Sequence, residues 1–186
     1  MNRINITKAV NALKSGGVIA YPTEAVFGLG CDPMDEKAAR KLLALKNRPE
    51  HKGLILVAAN FTQLQPYLTT LSPALFDKVM QSWPGPINWL LPVNPSSPKY
   101  LRGKFHLQAV RISNHPVVQA LCNKFGGAII STSANTSRRP AAKTVLQVRR
   151  YFTNQLDYVV NETVGAQKIP CEIRNSLTDH IIRSGK

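Results

Sequence analysis

The amino-acid sequence predicts an α/β fold in which helices flank a twisted, mixed β-sheet. Helical and strand-like patterns alternate over nearly the whole length, the strand-like segments are short apolar runs, and no internal repeat, low-complexity tract or long linker interrupts them. With 44% hydrophobic and 18% charged residues, the 186-residue chain has the composition of a globular protein with one core. We therefore expect a single domain over residues 1–186.

The first half of the chain contains two helical and two strand-like patterns. The apolar residues at positions 6, 9, 10 and 13 have the spacing of one helix face, and Asp35 is a typical N-cap. The predicted order is a helix that ends before Gly16, a strand at 18–21 that ends at Pro22, a glycine-containing loop at 23–34, a helix that starts at Asp35, and a strand at 53–58.

The second half continues this alternation. Ser72 can cap a helix whose first residue is Pro73, and Asn114 is predicted to cap a later helix that ends before Gly126. The predicted order is a helix from Ser72, strands at 87–91 and 109–112, a helix at 114–125, a strand at 128–132, a helix at 144–151, and strands near 158–160 and 180–183.

The chain is strongly basic, with 24 Lys and Arg against 10 Asp and Glu and a net charge of +14. Such an excess predicts attraction to polyanions such as nucleotides, RNA or anionic lipid. The alternative is that the charge only keeps the protein soluble through self-repulsion. The net charge alone does not separate these two interpretations.

The cysteine pattern and the apolar runs indicate the compartment. Cys31, Cys122 and Cys171 are far apart and form no C-x-x-C pair, so the sequence signals neither a zinc site nor a disulfide framework. The first residues lack the apolar segment of a secretory signal, and no apolar run approaches the length of a membrane span. We expect a cytoplasmic protein with no membrane contact, no protein-held metal and no tightly bound cofactor.

Two polar loops follow buried strands. Thr23, Gly28 and Gly30 come after the first strand, where they could let a ligand approach the backbone; a turn that simply requires glycine is an equally good interpretation. The hydroxyl and amide side chains at 131–137 could bind a phosphate, a ribose or a carboxylate, or could serve in caps and turns. Neither a Rossmann fingerprint nor a Walker loop is present, so any nucleotide must be held by other means.

A third loop places three cations, Lys46, Arg48 and Lys52, where a helix ends and a strand begins. They suit the binding of phosphate oxygens, and the alternative is a favourable interaction with the helix C-terminus. Arg111 lies within an apolar strand, so it either faces solvent or pairs with an anionic group, a ligand included. No catalytic triad, paired carboxylates or H-E-x-x-H helix is evident, and any Mg²⁺ is expected to arrive on nucleotide phosphates.

Five motifs occur in one order: Y-P-T-E at 21–24 with F-G-L-G-C-D at 27–32, K-N-R-P at 46–49, W-P-G-P at 83–86, A-V-R at 109–111 and S-T-S-A-N at 131–135. In order and spacing they resemble the YrdC/TsaC family, from the first helix to about residue 178. Each motif alone is weakly specific, but five in one order are hard to obtain otherwise. The length is similar to the short bacterial form, which lacks the extra C-terminal domain of longer relatives.

The resemblance implies a fold and an activity. The family fold is a twisted mixed sheet with a basic concave surface, and the implied reaction converts L-threonine, bicarbonate and ATP, with Mg²⁺, into threonylcarbamoyl-AMP and pyrophosphate. Other proteins then transfer the threonylcarbamoyl group to the adenosine beside the anticodon of tRNAs that read codons beginning with A. The implied partners are therefore the three substrates, the downstream transfer proteins and possible tRNA or other RNA.

The resemblance also assigns residues. It implies that Lys46 and Arg48 contact the ATP phosphates and carry the catalysis. Further ATP contacts would come from Lys52, Ser131, Ser133 and Asn135, and L-threonine would be bound by Thr23, Arg111 and Ser133. Three positions depart from the family pattern, with Asn88 in place of threonine, Arg138 in place of glycine and Cys171 in place of serine.

Two other functions stay open at the level of sequence. A non-catalytic RNA-binding protein in rRNA or tRNA maturation would fit the charge, although no recognised RNA-binding motif is present. A carbamoyl-transfer domain of the kind found in hydrogenase maturation proteins is disfavoured by the lack of a Cys-rich zinc pattern. The S-x-N sequence at 133–135 favours the enzyme, since a protein that only binds RNA has no evident use for it.

Overall fold

The computed structural model describes residues 3–136, 139–169 and 171–184. The strands in these residues are β1 (Ile19–Pro22), β2 (Phe27–Gly30), β3 (Ile55–Ala58), β4 (Ile87–Pro92), β5 (Leu107–Ile112), β6 (Ile129–Ser133), β7 (Tyr158–Val159), β8 (Glu172–Asn175) and β9 (Ile181–Arg183). The helices are α1 (Arg3–Lys14), α2 (Glu36–Lys46), α3 (Pro73–Met80), α4 (Lys99–Arg102), α5 (Pro116–Phe125) and α6 (Val145–Phe152). Among the residues described, no helix is long and apolar enough to cross a membrane.

The strands form one mixed sheet in the order β7-β1-β2-β6-β3-β5-β4-β8-β9. Three pairs are parallel, namely β1 with β7, β3 with β5 and β4 with β8. The other neighbouring strands run antiparallel. The predicted α/β fold with a mixed sheet and flanking helices is therefore confirmed.

The two faces of the sheet carry separate apolar clusters because successive side chains of a strand point to opposite sides. Val57 and Ile129 pack with residues of α1 and α5, whereas their neighbours Leu56 and Ile130 belong to the cluster that contains residues of α2 and α6. Helices thus cover both faces of the sheet, as expected for α/β proteins.

Most predicted helix starts are confirmed by their caps. The Asp35 carboxylate accepts a hydrogen bond from the Ala38 amide at 3.0 Å, and the Ser72 hydroxyl accepts one from the Leu75 amide at 3.4 Å. The predicted cap Asn114 is wrong by one residue, because His115 precedes the helix that starts at Pro116. Helix α4 and strand β8 were not predicted at all.

The predicted loop at 23–34 is also wrong, because residues 27–30 form strand β2 between β1 and β6. Of its two glycines, Gly30 permits close packing of strands and not a turn. A Cβ atom on Gly30 would lie 2.5 Å from the carbonyl oxygen of Ile130 and 2.8 Å from the Tyr21 ring. Neither a turn that needs glycine nor a ligand against the backbone explains this position.

We expect the Gly30→Ala substitution to lower the free energy of unfolding by about 1–3 kcal/mol, because the added methyl group overpacks strand β2 against a backbone carbonyl. The measurement is urea or thermal unfolding of the purified variant. Gly127→Ala is the matched control, since the nearest atom to its added Cβ, on Phe125, lies 4.0 Å away. Equal stability of the two variants would contradict the close packing of β2.

Candidate functional site

A cavity of about 430 Å³ lies across the sheet, with lining residues on every strand from β2 through β6, β3, β5, β4 and β8 to β9. Ile55 and Ser131, which line it, point to the same side as Val57 and Ile129, since residues two apart share a face. Helices α1 and α5 pack on Val57 and Ile129, so the cavity occupies the adjoining part of that face.

The lining combines polar and apolar groups. Its polar residues come from the loop before β2, from the segment that follows α2, from helix α4, and from strands β4, β5, β6 and β9. They are Thr23, Arg48, Lys52, Asn88, Arg102, Arg111, Ser131, Thr132, Ser133 and Arg183. Five of these ten residues are Lys or Arg, and the described lining contains no Asp or Glu. A concave surface with such a charge balance attracts anionic ligands.

Arg111 is the most deeply buried cation of the lining, with 4% of its surface exposed. Its Nη1 lies 2.6 Å from Oε1 of Glu24, which is equally buried, and the Ser113 hydroxyl donates a 2.5 Å hydrogen bond to the same oxygen. Burial alone raises the pKa of Glu24, but Arg111 and the hydrogen bonds outweigh it and hold this pKa below its usual value. Arg111 therefore pairs with an acid and also lines the cavity.

Thr23 and Ser131 lie side by side at the β2 end of the cavity. A Cβ atom on Gly28 would lie 3.4 Å from the Thr23 methyl group and 3.5 Å from the Ser131 hydroxyl oxygen. The Thr23 hydroxyl donates to the Val26 carbonyl at 2.7 Å, and the Thr23 amide donates to the same oxygen at 3.0 Å. This small turn holds Thr23 against the cavity, where Thr23 is one of the lining residues.

Lys46 lies behind the cavity, with 6% of its surface exposed, and is not among the lining residues. Its ammonium donates to the Asn135 carbonyl at 2.9 Å, to the Asn135 side-chain oxygen at 3.1 Å, and to the Ser133 carbonyl. Burial and the nearby Arg48 charge lower the pKa of Lys46 to about 8. In this arrangement Lys46 joins α2 to the loop that follows β6.

The loop after β6 is further tied by its own side chains. The Ser133 hydroxyl donates to the Asn135 side-chain oxygen at 2.7 Å, and the Asn135 amide group donates to the Arg139 carbonyl at 2.7 Å. Ser133 lines the cavity, whereas Asn135 does not. Arg138, the departure expected to affect this loop, lies outside the described residues.

Arg48 and Lys52 reach the cavity from the segment after α2. The Arg48 guanidinium donates to the Gly53 carbonyl at 3.0 Å and to the Lys52 carbonyl at 3.3 Å, not to the last carbonyls of α2. Burial and then the Arg183 charge lower the pKa of Arg48. The described side-chain contacts of Arg48 therefore do not support the interaction with the helix C-terminus.

Three residues near the cavity were not predicted as site residues: Glu24, Arg102 and Arg183. The sequence could have indicated Glu24, since it is the acid of the Y-P-T-E motif, but its partner Arg111 is distant in sequence. The two departures Asn88 and Cys171 also line the cavity. In the described part of the chain, no group of three His, Cys, Asp or Glu residues could hold a metal ion.

Comparisons with known proteins identify the family of this chain. The sequence profile of the Sua5/YciO/YrdC family, described as "Telomere recombination", matches residues 11–185. A protein of Saccharophagus degradans named threonylcarbamoyl-AMP synthase is 50% identical over 179 residues, covering 96% of this chain and 94% of that one. A protein of Photobacterium profundum with the same name is 48% identical over 183 residues, covering 97% and 99%.

A solved structure shows the same fold. The crystal structure of P. abyssi Sua5 complexed with L-threonine superposes with a TM-score of 0.88 at 25% identity. The match covers 94% of this chain and 52% of that one, so this chain spans about half of the longer protein. The matched profile and the identities to relatives of nearly equal length show that the chain belongs to the Sua5/YciO/YrdC family.

Proposed function

We propose that this chain is a threonylcarbamoyl-AMP synthase, which converts L-threonine, bicarbonate and ATP into threonylcarbamoyl-AMP and pyrophosphate. The observation that carries the proposal is a cavity whose described lining has five cations and no acid, in a chain 50% identical to a protein of that name. The product serves the formation of N6-threonylcarbamoyladenosine in tRNAs that read codons beginning with A.

The chemistry requires the stabilisation of negative charge more than the transfer of protons. The threonine amine and bicarbonate combine with loss of water to a carbamate, and a carbamate oxygen then attacks the α-phosphorus of ATP. The bond between this phosphorus and the bridging oxygen breaks, and pyrophosphate leaves with the electron pair. Positioned cations accelerate such a step by holding the reactants in line and by stabilising the charge that spreads over the phosphoryl oxygens.

The geometry supports a division of the cavity into two ends. Arg111 and Thr23, together with Ser133, would form the end that binds the threonine carboxylate and amine. Arg48 and Lys52, with Arg102 and Arg183, would bind the phosphates, and Ser131 and Ser133 the remainder of the nucleotide. Mg²⁺ would arrive on the ATP phosphates, and Lys46 and Asn135 would hold the loop that presents Ser133.

RNA binding is a second property that the net charge of +14 favours. It does not account for a cavity that encloses five cations together with hydroxyl groups. Beside the synthase activity we make three further predictions. The protein contacts tRNA or other RNA directly, its product passes to downstream transfer proteins, and it is located in the cytoplasm.

The test of the proposal is pyrophosphate release by the purified protein with ATP, Mg²⁺ and bicarbonate, in the presence and absence of L-threonine. Release that requires both threonine and bicarbonate is the expected result. If no pyrophosphate is released while RNA binds in a salt-sensitive manner, the chain is a binding protein and the proposal fails.

We expect Arg48→Ala to raise the KM for ATP by about 10–100-fold, because a charge-assisted contact of a partly buried guanidinium with phosphate is lost. The KM for threonine should change much less. Arg40→Ala is the matched control, since Arg40 lies on α2, the helix that precedes Arg48, and forms exposed ion pairs with Glu36 and Glu50. An unchanged KM for ATP in Arg48→Ala would remove Arg48 from the phosphate site.

A further inference from the structure

Glu24 is the acid that contacts the cationic lining from behind. Its carboxylate is not among the groups that line the cavity, but Oε1 lies 2.6 Å from Nη1 of Arg111. The contact is a close, buried ion pair, and Oε2 of Glu24 has no hydrogen-bond partner among the described residues. Glu24 therefore acts on Arg111 chiefly through charge and position.

Both the carboxylate and the backbone of Glu24 are held in place by neighbouring residues. The Ser113 hydroxyl donates to Glu24 Oε1 at 2.5 Å, and the backbone amide of His115 donates to that hydroxyl at 3.1 Å. Residues of the loop after β7 hold the backbone, since the Gln167 amide donates to the Glu24 carbonyl at 3.0 Å. The loop also passes so close that a Cβ atom on Gly165 would lie 2.8 Å from the same carbonyl oxygen.

These contacts restrict the direction in which Arg111 points. A guanidinium carries five N–H donors, and the pair with Glu24 engages Nη1. With Nη1 fixed at the back of the cavity, the planar group presents its other donors at a set angle to any anion in front of it. Without Glu24, a guanidinium with 4% exposure would have to find another counter-charge or turn toward the cavity opening.

We infer that Glu24 is a positioning residue that sets the orientation of Arg111 toward the carboxylate of the amino-acid substrate. The inference rests on the proposed function and extends it to a residue that does not touch the substrate. It predicts a selective effect, since the cations proposed for the phosphates, such as Arg48, make no contact with Glu24 in the described structure. If Glu24 instead competed with the substrate carboxylate for Arg111, its removal would tighten threonine binding.

The test is the binding of L-threonine and of ATP to Glu24→Gln, measured by calorimetry and compared with the wild-type protein. We expect the Kd for threonine to rise about 10-fold, as for the loss of one charge-assisted contact, and the Kd for ATP to change less than about 2-fold. Glu24→Asp should restore part of the affinity, because the charge returns at a greater distance. Glu36→Gln is the control, since Glu36 forms an exposed ion pair with Arg40.

A double-mutant cycle shows whether Glu24 acts through Arg111. We expect Arg111→Ala to weaken threonine binding and the added Glu24→Gln change to weaken it no further, since coupled residues are not additive. Additive losses, tighter threonine binding, or an equal loss of ATP binding would each overturn the inference. If Glu24→Gln does not fold, Ser113→Ala removes the hydrogen bond to the carboxylate and should give a smaller loss of threonine affinity in the same direction.

The outcomes also separate this inference from the proposed function. A wild-type protein that neither binds threonine nor releases pyrophosphate overturns both. A wild-type protein that does both, together with an unchanged threonine Kd in Glu24→Gln and in Ser113→Ala, overturns the positioning role and leaves the synthase activity in place.

Discussion

Replacing Arg111 by alanine is expected to raise the KM for L-threonine by about 100-fold, because truncation of a buried, paired charge removes about 2–5 kcal/mol of binding free energy. The guanidinium is the most buried cation of the cavity lining, so its contact with a carboxylate is shielded from water. The KM for ATP should rise far less. The measurement is pyrophosphate release at varied threonine and at varied ATP. An equal loss for both substrates would make Arg111 part of the nucleotide site or of the fold.

The loss of stability in this variant has to be separated from the loss of function. Breaking a buried ion pair leaves the Glu24 carboxylate without its counter-charge and costs about 3–5 kcal/mol of folding free energy. The double variant Arg111→Ala/Glu24→Gln removes this charge and should recover much of the melting temperature. If threonine use stays low while stability recovers, the loss belongs to the site. Recovery of both would mean that Arg111 serves only the fold.

The fold was largely predictable because its signals are local. The cap at Asp35 and the helix start at Ser72 and Pro73 involve residues three apart, and the structure confirms them. Strand β2 was missed because its sequence, F-G-L-G, contains glycines that normally disfavour strands. The reason for Gly30 is the Ile130 carbonyl, 100 positions away in the sequence, which no local pattern reveals.

The site was predictable only where its signals are local in the sequence. A charge within an apolar strand singled out Arg111, and the three hydroxyl- or cation-rich loops do converge, since Thr23, Arg48 and Ser133 line one cavity. The pairing of Arg111 with Glu24 depends on how the β1–β2 connection meets β5 in the folded sheet. Arg183 reaches the cavity only because β8 and β9 continue the sheet beyond β4. Such contacts depend on the order of the strands in the sheet, which the pattern of residues along the chain does not determine.

A second large loss of activity is expected for a substitution of Lys46, whose buried ammonium contacts the loop after β6. The substitution Lys46→Met keeps much of the side-chain volume but removes the ammonium that donates to the oxygens of Ser133 and Asn135. Since a misplacement of about 1 Å can cost about 100-fold, we expect a loss of about 30–100-fold in kcat/KM for ATP. The measurement is pyrophosphate release at varied ATP with saturating threonine. Wild-type kcat/KM in Lys46→Met would show that neither the charge nor the contacts of Lys46 matter.

The pH dependence provides an internal check, because burial and Arg48 lower the pKa of Lys46 to about 8. As the pH rises through this value the ammonium loses its proton, so the wild-type Kd for ATP should increase above about pH 8. Lys46→Arg retains its charge far above this range and should show no such rise, even if its fit is poorer. A rise of the same size in Lys46→Arg would assign the titration to another group.

Binding of AMP then separates the two roles that Lys46 could have. If Lys46 acts by holding the Ser133–Asn135 loop against the nucleotide, Lys46→Met should raise the Kd for AMP and the Kd for ATP to a similar degree. If its ammonium instead turns toward the phosphates when ATP binds, the loss should be confined to ATP, because AMP lacks the β- and γ-phosphates. The ammonium would have to give up contacts with both residues of that loop to do so. We therefore expect the first result.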